Sequence, residues 1–227
     1  MKTLDEIANL YGTDKGSNVH DYCRKYEKYL PFKREDKITL FEIGVARGES
    51  LRMWKEYFYN SHIISIDILP ECKAYEEDRI SIEIGSQTDE NFLNRISQQY
   101  GPFDMIIDDG SHVNSDVIYS FQKLFNHVKS SGIYIVEDAG TSYWPDYGGG
   151  RYRPGSTMDY FKGLADEVSF FGEFSERVVP GKDERISTLY RRDAELIEQF
   201  QRKGYHYIGT QIESLNFLNS IIIITKR

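Results

Sequence analysis

The chain has 227 residues, 40% of them hydrophobic and 28% charged, which fits one globular α/β domain and excludes a disordered polymer. Its formal net charge of −8 argues against non-specific binding to nucleic acid, and no run reaches the ~18 apolar residues that a membrane span needs. Met1-Lys2-Thr3-Leu4-Asp5-Glu6 holds no apolar signal region, and Cys23 and Cys72 sit in unrelated contexts, so a cytoplasmic protein with free thiols is expected.

In chain order, residues 3–11 and 20–30 read as short helices ahead of a first strand at Ile38–Ile43. Glu49–Tyr59 reads as a helix, with Leu51, Trp54 and Phe58 spaced for one face. Strands follow at His62–Ile66 and Ile80–Ile84, then a helix at Glu90–Tyr100 and a strand at Met105–Ile107. Asp116–Val128 reads as a helix and Ile133–Val136 as the fifth strand. Gly140–Gly155 then breaks the rhythm with Gly148-Gly149-Gly150, two prolines and several aromatics, and reads as a lid or substrate loop. Helices are expected at Met158–Phe170 and Asp193–Lys203, and closing strands at Gln211–Leu215 and Ser220–Thr225. Alternation of this kind predicts a mostly parallel sheet covered on both faces, in one domain over residues 1–227.

Chemistry gathers where strands end. Phe103–Ile107 runs into Asp108-Asp109-Gly110-Ser111-His112, and Ile133–Val136 runs into Glu137-Asp138. Two neighbouring parallel strands bring these acids to one sheet edge, a setting for a hard cation with an imidazole beside it. Glu42-x-Gly44-x-x-x-Gly48 sits where a strand turns into a helix, and glycine there permits positive φ and close backbone approach to a ligand. The spacing lacks the full dinucleotide fingerprint. Asp67, nineteen residues after Gly48, can bond two ribose hydroxyls. Gly85-Ser86-Gln87-Thr88-Asp89 offers polar groups for an adenine edge, and equally a helix start with a cap. Lys15 in Thr13-Asp14-Lys15 pairs with a cofactor carboxylate or forms a surface turn. Arg151 and Arg153 in the lid suit phosphates, whereas Arg191-Arg192 reads as a solvated pair. Asp108 reads as support for the turn.

With these segments the chain resembles a class I S-adenosylmethionine-dependent methyltransferase, and more closely the metal-dependent sugar O-methyltransferases of the mycinamicin and macrocin type. The matching segments are Tyr11-Gly12-Thr13-Asp14-Lys15 followed by His20, Tyr22 and Tyr26; Phe41–Ser50 with Leu51-Arg52-Met53-Trp54; Asp67; Gln87 and Asp89; Phe103–His112; and Glu137-Asp138 with Thr141-Ser142-Tyr143-Trp144. They span roughly residues 5–160; Gly85-Ser86-Gln87-Thr88-Asp89 stands where Gly-Asp-Gln-Ser-Asp is usual, a departure that bears only on the role of residue 86. The resemblance implies a Rossmann-like, seven-stranded, mostly parallel sheet with an antiparallel C-terminal strand. It implies a divalent cation, usually magnesium, held by Asp109, Glu137 and Asp138, with His112 as base. It places Thr13, Lys15, Glu42, Gly44, Arg47, Ser50, Asp67, Gln87 and Asp108 with S-adenosylmethionine, and Tyr143, Trp144, Arg151 and Arg153 with the acceptor. Residues 1–37 become a helical segment covering the cofactor site, and 140–157 the lid. Family members are often longer, with an N-terminal domain that helps assemble an oligomer, so their quaternary structure is not carried over; a homodimer is the default.

The expected reaction moves a methyl group to a sugar hydroxyl. Phenol-lined clefts suit polyhydroxy ligands, and the chain has 17 tyrosines. Its richness in Ile, Lys, Asn and Tyr favours a nucleotide-linked sugar for a surface (capsular) polysaccharide. The alternatives are a natural-product glycoside, a catechol-like phenol, and, in another class, a non-catalytic nucleoside-binding or hydroxylase-type relative.

Overall fold

A computed structural model describes residues 1–177 and 208–227. The helix expected at Asp193–Lys203 and the pair Arg191-Arg192 lie outside the described residues. The described chain forms a seven-stranded sheet in the order β3-β2-β1-β4-β5-β7-β6, with β1 Thr39–Ile43, β2 His62–Asp67, β3 Ile80–Ile84, β4 Phe103–Asp108, β5 Val128–Val136, β6 Ile212–Leu218 and β7 Ile221–Lys226. The first five are parallel neighbours, and β7 inserts antiparallel between β5 and β6. This is the Rossmann-like arrangement with a reversed last strand that the sequence predicts.

Among the described residues, six helices accompany the sheet: α1 Leu4–Tyr11, α2 Cys23–Tyr29, α3 Glu49–Tyr57, α4 Glu90–Tyr100, α5 Asn114–Leu124 and α6 Thr157–Arg177. Strand alternation divides the core in two. Leu40, Ile63, Met105, Ile107 and Ile133 meet Leu4, Tyr26 and Trp54 from α1, α2 and α3. Phe41, Ile64, Phe103, Ile106 and Tyr134 meet Leu93, Phe121 and Phe161 from α4, α5 and α6. Strands buried on both faces need near-continuous apolar runs, which is why these strands were readable.

Boundaries differ where local chemistry intervenes. The helix expected to reach Val128 stops at Leu124, passes through a 3-10 turn at Phe125–His127, and Val128 already belongs to β5. The pairing of β4 and β5 shifts register between Phe103 and Met105, and Ser131 takes a left-handed φ of 62° beside Gly132. This irregularity hides the strand's first half from a period-two reading. No helix among the described residues is long and apolar enough to cross a membrane.

The register sets up the site. Ile43 pairs with Ile66 and with Asp108, and Asp108 pairs with Val136. The residues one step further along four strands, Asp67, Gly44, Asp109 and Glu137, therefore end on one line. Backbone bonds extend the ladder to them: Gly44 N donates to Ile66 O at 2.8 Å, Asp109 N to Ile43 O at 3.0 Å and Glu137 N to Asp108 O at 3.0 Å.

Phe121 is the hub of the core on the α5 side, with ring centroids 4.9 Å from Phe125, 5.1 Å from Tyr134 and 4.9 Å from Phe161. Phe121→Ala is expected to lower the free energy of unfolding by ~3–5 kcal/mol in urea titrations. A loss below about 1 kcal/mol would show that this cluster does not hold α5 and α6 to the sheet.

Candidate active site

A cavity of about 710 Å³ opens at the carboxyl edge, walled by the turns after β1, β2, β3 and β4, by Asp138, and by Gly12–Lys15 from the N-terminal segment. It lies where strand order reverses between β1 and β4, the usual ligand crevice of such sheets.

The glycine turn builds one wall. Gly44 has φ +99°, and a Cβ there would run into the carbonyl oxygen of Asp109, so backbone from β1 and β4 approaches as closely as only glycine allows. Asp67 accepts from Val45 N and from Leu69 N, each at 3.0 Å, which fixes its carboxylate at the cavity edge. Asp89 caps α4 by accepting from Phe92 N at 3.1 Å. Gln87 is buried: its amide donates to Asp108 at 3.3 Å and Ser120 at 2.9 Å and accepts from Ser111 N at 2.7 Å. It borders the cavity, and these bonds hold the 108–111 turn.

Asp108 and Asp109 part company because alternate strand residues face opposite ways. Asp108 points inward, where it accepts from Tyr134 at 3.1 Å and from Gln87; burial pushes its carboxyl from the ordinary 3.8 up to about 7 against the opposing effect of these bonds. Asp109 turns to the cavity, and ligand atoms of Asp109, His112 and Asp138 all lie within 4.8 Å of one another. His112 Nε2 stands 3.7 Å from Asp138 Oδ2. Both residues occupy left-handed backbone, with φ 58° at His112 and 48° at Asp138, conformations that non-glycine residues adopt at a cost. The two carboxylates at this spacing suit a hard divalent cation, with the imidazole nitrogen beside them.

Beneath the cavity lies a charge cluster. Glu42, at a core position of β1, is fully buried, as is Lys15. Lys15 Nζ stands 2.6 Å from Asp109 Oδ2, 2.7 Å from Glu137 Oε2 and 3.3 Å from Glu42 Oε1. Burial alone would lower the lysine's proton affinity, but Asp109, Glu137 and Glu42 hold it well above the usual range. Burial raises both Glu42 and Glu137, opposed in each case by Lys15. Glu137 also accepts from the Tyr26 hydroxyl, and Asp138 Oδ1 from the Tyr22 hydroxyl at 2.6 Å.

The expected site residues thus divide. Thr13, Lys15, Gly44, Arg47, Ser50, Asp67, Gln87, Asp109, His112 and Asp138 line the cavity. Glu42, Asp108 and Glu137 are buried beneath it. Tyr143, Trp144, Arg151 and Arg153 stand outside, on the loop after β5. Two 3-10 turns, Ala139–Tyr143 and Pro145–Tyr147, shape that loop, and Asn114 ties it down by donating to Tyr147 O at 2.7 Å and accepting from Thr157 N at 2.6 Å. A row of rings leads outward from His112, to Tyr147 at 6.3 Å and on to Trp144 at 5.9 Å. Arg151 lies over the Tyr152 ring, and Arg153 donates to Gly149 O at 3.2 Å. Sequence reasoning missed the role of Tyr22 and Tyr26 as partners of the acids. Their signals were membership of a matching segment and a four-residue spacing behind Lys15.

No family model matches the chain. Among curated proteins, it is 39% identical to demethylmacrocin O-methyltransferase of Streptomyces fradiae over 176 residues, covering 73% of this chain and 44% of that protein. It is 38% identical to mycinamicin VI 2''-O-methyltransferase of Micromonospora griseorubida, over 73% of this chain and 44% of the relative. L-olivosyl-oleandolide 3-O-methyltransferase of Streptomyces antibioticus is 37% identical over 74% of this chain and 46% of its own length. These matches span less than half of each relative. Among solved structures, the MycE methyltransferase of the mycinamycin biosynthetic pathway in complex with Mg and SAH superposes with a TM-score of 0.80 at 30% identity, over 99% of this chain and 54% of that one.

The buried Asp108 gives the site a pH signature. Unfolded, its carboxyl ionises near the ordinary 3.8; folded, it keeps its proton until about 7. The folded state therefore binds the extra proton, and this stabilisation, complete below 3.8, is lost as pH rises through about 7. Urea titrations should show wild type losing stability relative to Asp108→Asn across that interval. A difference that stays flat with pH would remove the assignment.

Proposed function

The chain belongs to the class I S-adenosylmethionine-dependent methyltransferases, as a relative of the mycinamicin- and macrocin-type sugar O-methyltransferases, and from that premise we propose that it methylates a sugar hydroxyl. One observation carries this reading: the glycine turn with Asp67 and the Asp109–His112–Asp138 cluster face a single cavity. The first can hold a nucleoside, and the second can prepare an alcohol.

Gly44 lets backbone reach the cofactor closely, Asp67 is placed to bond ribose hydroxyls, and Thr13, Arg47 and Ser50 close the same pocket. When bound, S-adenosylmethionine supplies an electrophilic methyl group. An alcohol holds its proton too tightly to attack at neutral pH, so the acceptor must be aligned and relieved of that proton. Asp109 and Asp138 from the cavity wall, with Glu137 beneath, are the proposed cation set; when bound, magnesium supplies charge that orients vicinal hydroxyls and lowers their proton affinity. His112 takes the proton, and Asp138 Oδ2, 3.7 Å away, stabilises the imidazolium that results. Tyr147, Trp144 and Tyr143 offer ring faces to a sugar at the mouth.

The acceptor best supported is a glycoside of a natural product, because the relatives are named for such acceptors and MycE has also been solved with Mg, SAH and mycinamycin VI. A nucleotide-linked sugar for a surface polysaccharide is the second reading, which the exposed Arg151 and Arg153 beside the mouth favour.

Incubation with S-adenosylmethionine, magnesium and a panel of glycosides, nucleotide sugars and catechols is expected to add one methyl to a sugar hydroxyl by mass spectrometry. Chelation should stop the transfer and magnesium restore it; transfer to a catechol alone would sink the sugar reading. His112→Ala is expected to reduce kcat by ~10²–10⁴-fold. Its affinity for S-adenosylmethionine, followed by calorimetry, should stay unchanged. Turnover near wild type would exclude His112 as the base.

A further inference from the structure

Asp109, Glu137 and Asp138 are each fastened by the N-terminal segment. Lys15 holds Asp109 and Glu137, the Tyr26 hydroxyl holds Glu137, and the Tyr22 hydroxyl donates to Asp138 Oδ1 at 2.6 Å. The segment is itself folded to do so: Tyr22 N and Cys23 N both donate to Lys15 O, at 2.9 and 3.1 Å, which brings Tyr22 and Lys15 side by side.

Asp138 depends most on such a partner. Its backbone is left-handed, it lies two residues past Val136, the last residue paired in β5, and its side chain is a quarter exposed. Rotation of an aspartate carboxyl about its terminal torsion is broad and roughly two-fold, so without an anchor its oxygens exchange places. Tyr22 is only 1% exposed and firmly seated. The His20 ring stacks on it at 5.0 Å, the Tyr26 ring meets it edge-on at 6.5 Å, and the Lys25 ammonium lies 4.8 Å from its centroid. The Ser220 side chain also neighbours the phenol. Ser220 O in turn accepts from Ala139 N at 3.0 Å. The N-terminal segment, the exit of β5 and the β6–β7 turn therefore converge on one phenol oxygen. A buried tyrosine needs some partner for its hydroxyl. This one uses the carboxylate whose other oxygen faces His112.

We propose that Tyr22 is a positioning residue for the cation site: by holding Asp138 Oδ1 it keeps Asp138 Oδ2 turned toward Asp109 and His112. The inference rests on the cation reading given under the proposed function. Outer partners of ligating carboxylates commonly matter by 10–100-fold in metal affinity.

Tyr22→Phe removes one hydroxyl and no charge. Magnesium titrated calorimetrically into the protein without S-adenosylmethionine should bind wild type, and bind the variant at least about tenfold more weakly. The variant's unfolding midpoint without metal should fall by only a few degrees, as expected for the loss of one buried hydrogen bond. A lowered midpoint with an unchanged Kd would make Tyr22 merely structural and overturn the proposal. If Tyr22→Phe does not fold, Ser220→Ala loosens the same phenol; several-fold weaker magnesium binding supports the proposal, and an unchanged Kd overturns it. Wild type that binds no magnesium would overturn the cation reading itself, an outcome distinct from wild-type binding that Tyr22→Phe leaves intact.

Discussion

The buried ammonium of Lys15 is the constraint around which the site is organised. An isolated charge cannot be taken out of water cheaply, and breaking a buried pair by removing one partner commonly costs ~3–5 kcal/mol. Here Lys15 reaches three carboxylates carried by three strands: Glu42 on β1, Asp109 after β4 and Glu137 after β5. Glu42 occupies a core position in an otherwise apolar strand, which is tolerable only because a cation comes to it. The N-terminal segment is pinned to the sheet edge by the same contacts. Gly12–Lys15 can then wall the cavity without a hydrophobic face of their own.

Around that pin, backbone geometry sorts neighbouring acids into different tasks. Asp108 and Asp109 differ by one position, and strand alternation sends one into a network with Tyr134 and Gln87 and the other to the cavity. Left-handed backbone at His112 and Asp138 turns both side chains toward Asp109. Gly44 makes room for the Asp109 carbonyl, so the nucleoside turn and the acidic edge press against each other. Strain at these positions is held by the bonds around them: Thr141 Oγ1 donates to His112 O at 3.2 Å and Tyr22 fixes Asp138. His112 and Asp138 are thus held by residues that do not themselves line the cavity.

The fold was legible from the chain because fully buried parallel strands write themselves as short apolar runs, and because each run ends where polar and glycine residues begin. The same property made Asp67, Gly44, Asp109 and the Glu137-Asp138 pair recognisable as edge residues. The start of β5 was not legible, since the irregular pairing at Phe103–Met105 and the turn at Ser131 break alternation. The loop after β5 was visible as a glycine- and aromatic-rich interruption. Its ring row from His112 through Tyr147 to Trp144 was not, because ring contacts depend on how Asn114 ties the loop to α5 and α6.

Sequence alone determined which residues can do chemistry and which end of the sheet they share, because both follow from residue type and strand order. Tertiary structure decided which oxygen each acid offers and to whom. Lys15 was read as the partner of a cofactor carboxylate or as a surface turn; in the fold it is buried at the cavity wall and bridges Asp109 to Glu137. Tyr22 and Tyr26 were only members of a matching segment; in the fold they are the donors that orient Asp138 and Glu137. Such roles depend on contacts between residues 94 to 122 positions apart, and a hydrogen bond of 2.6 Å leaves no trace in local spacing.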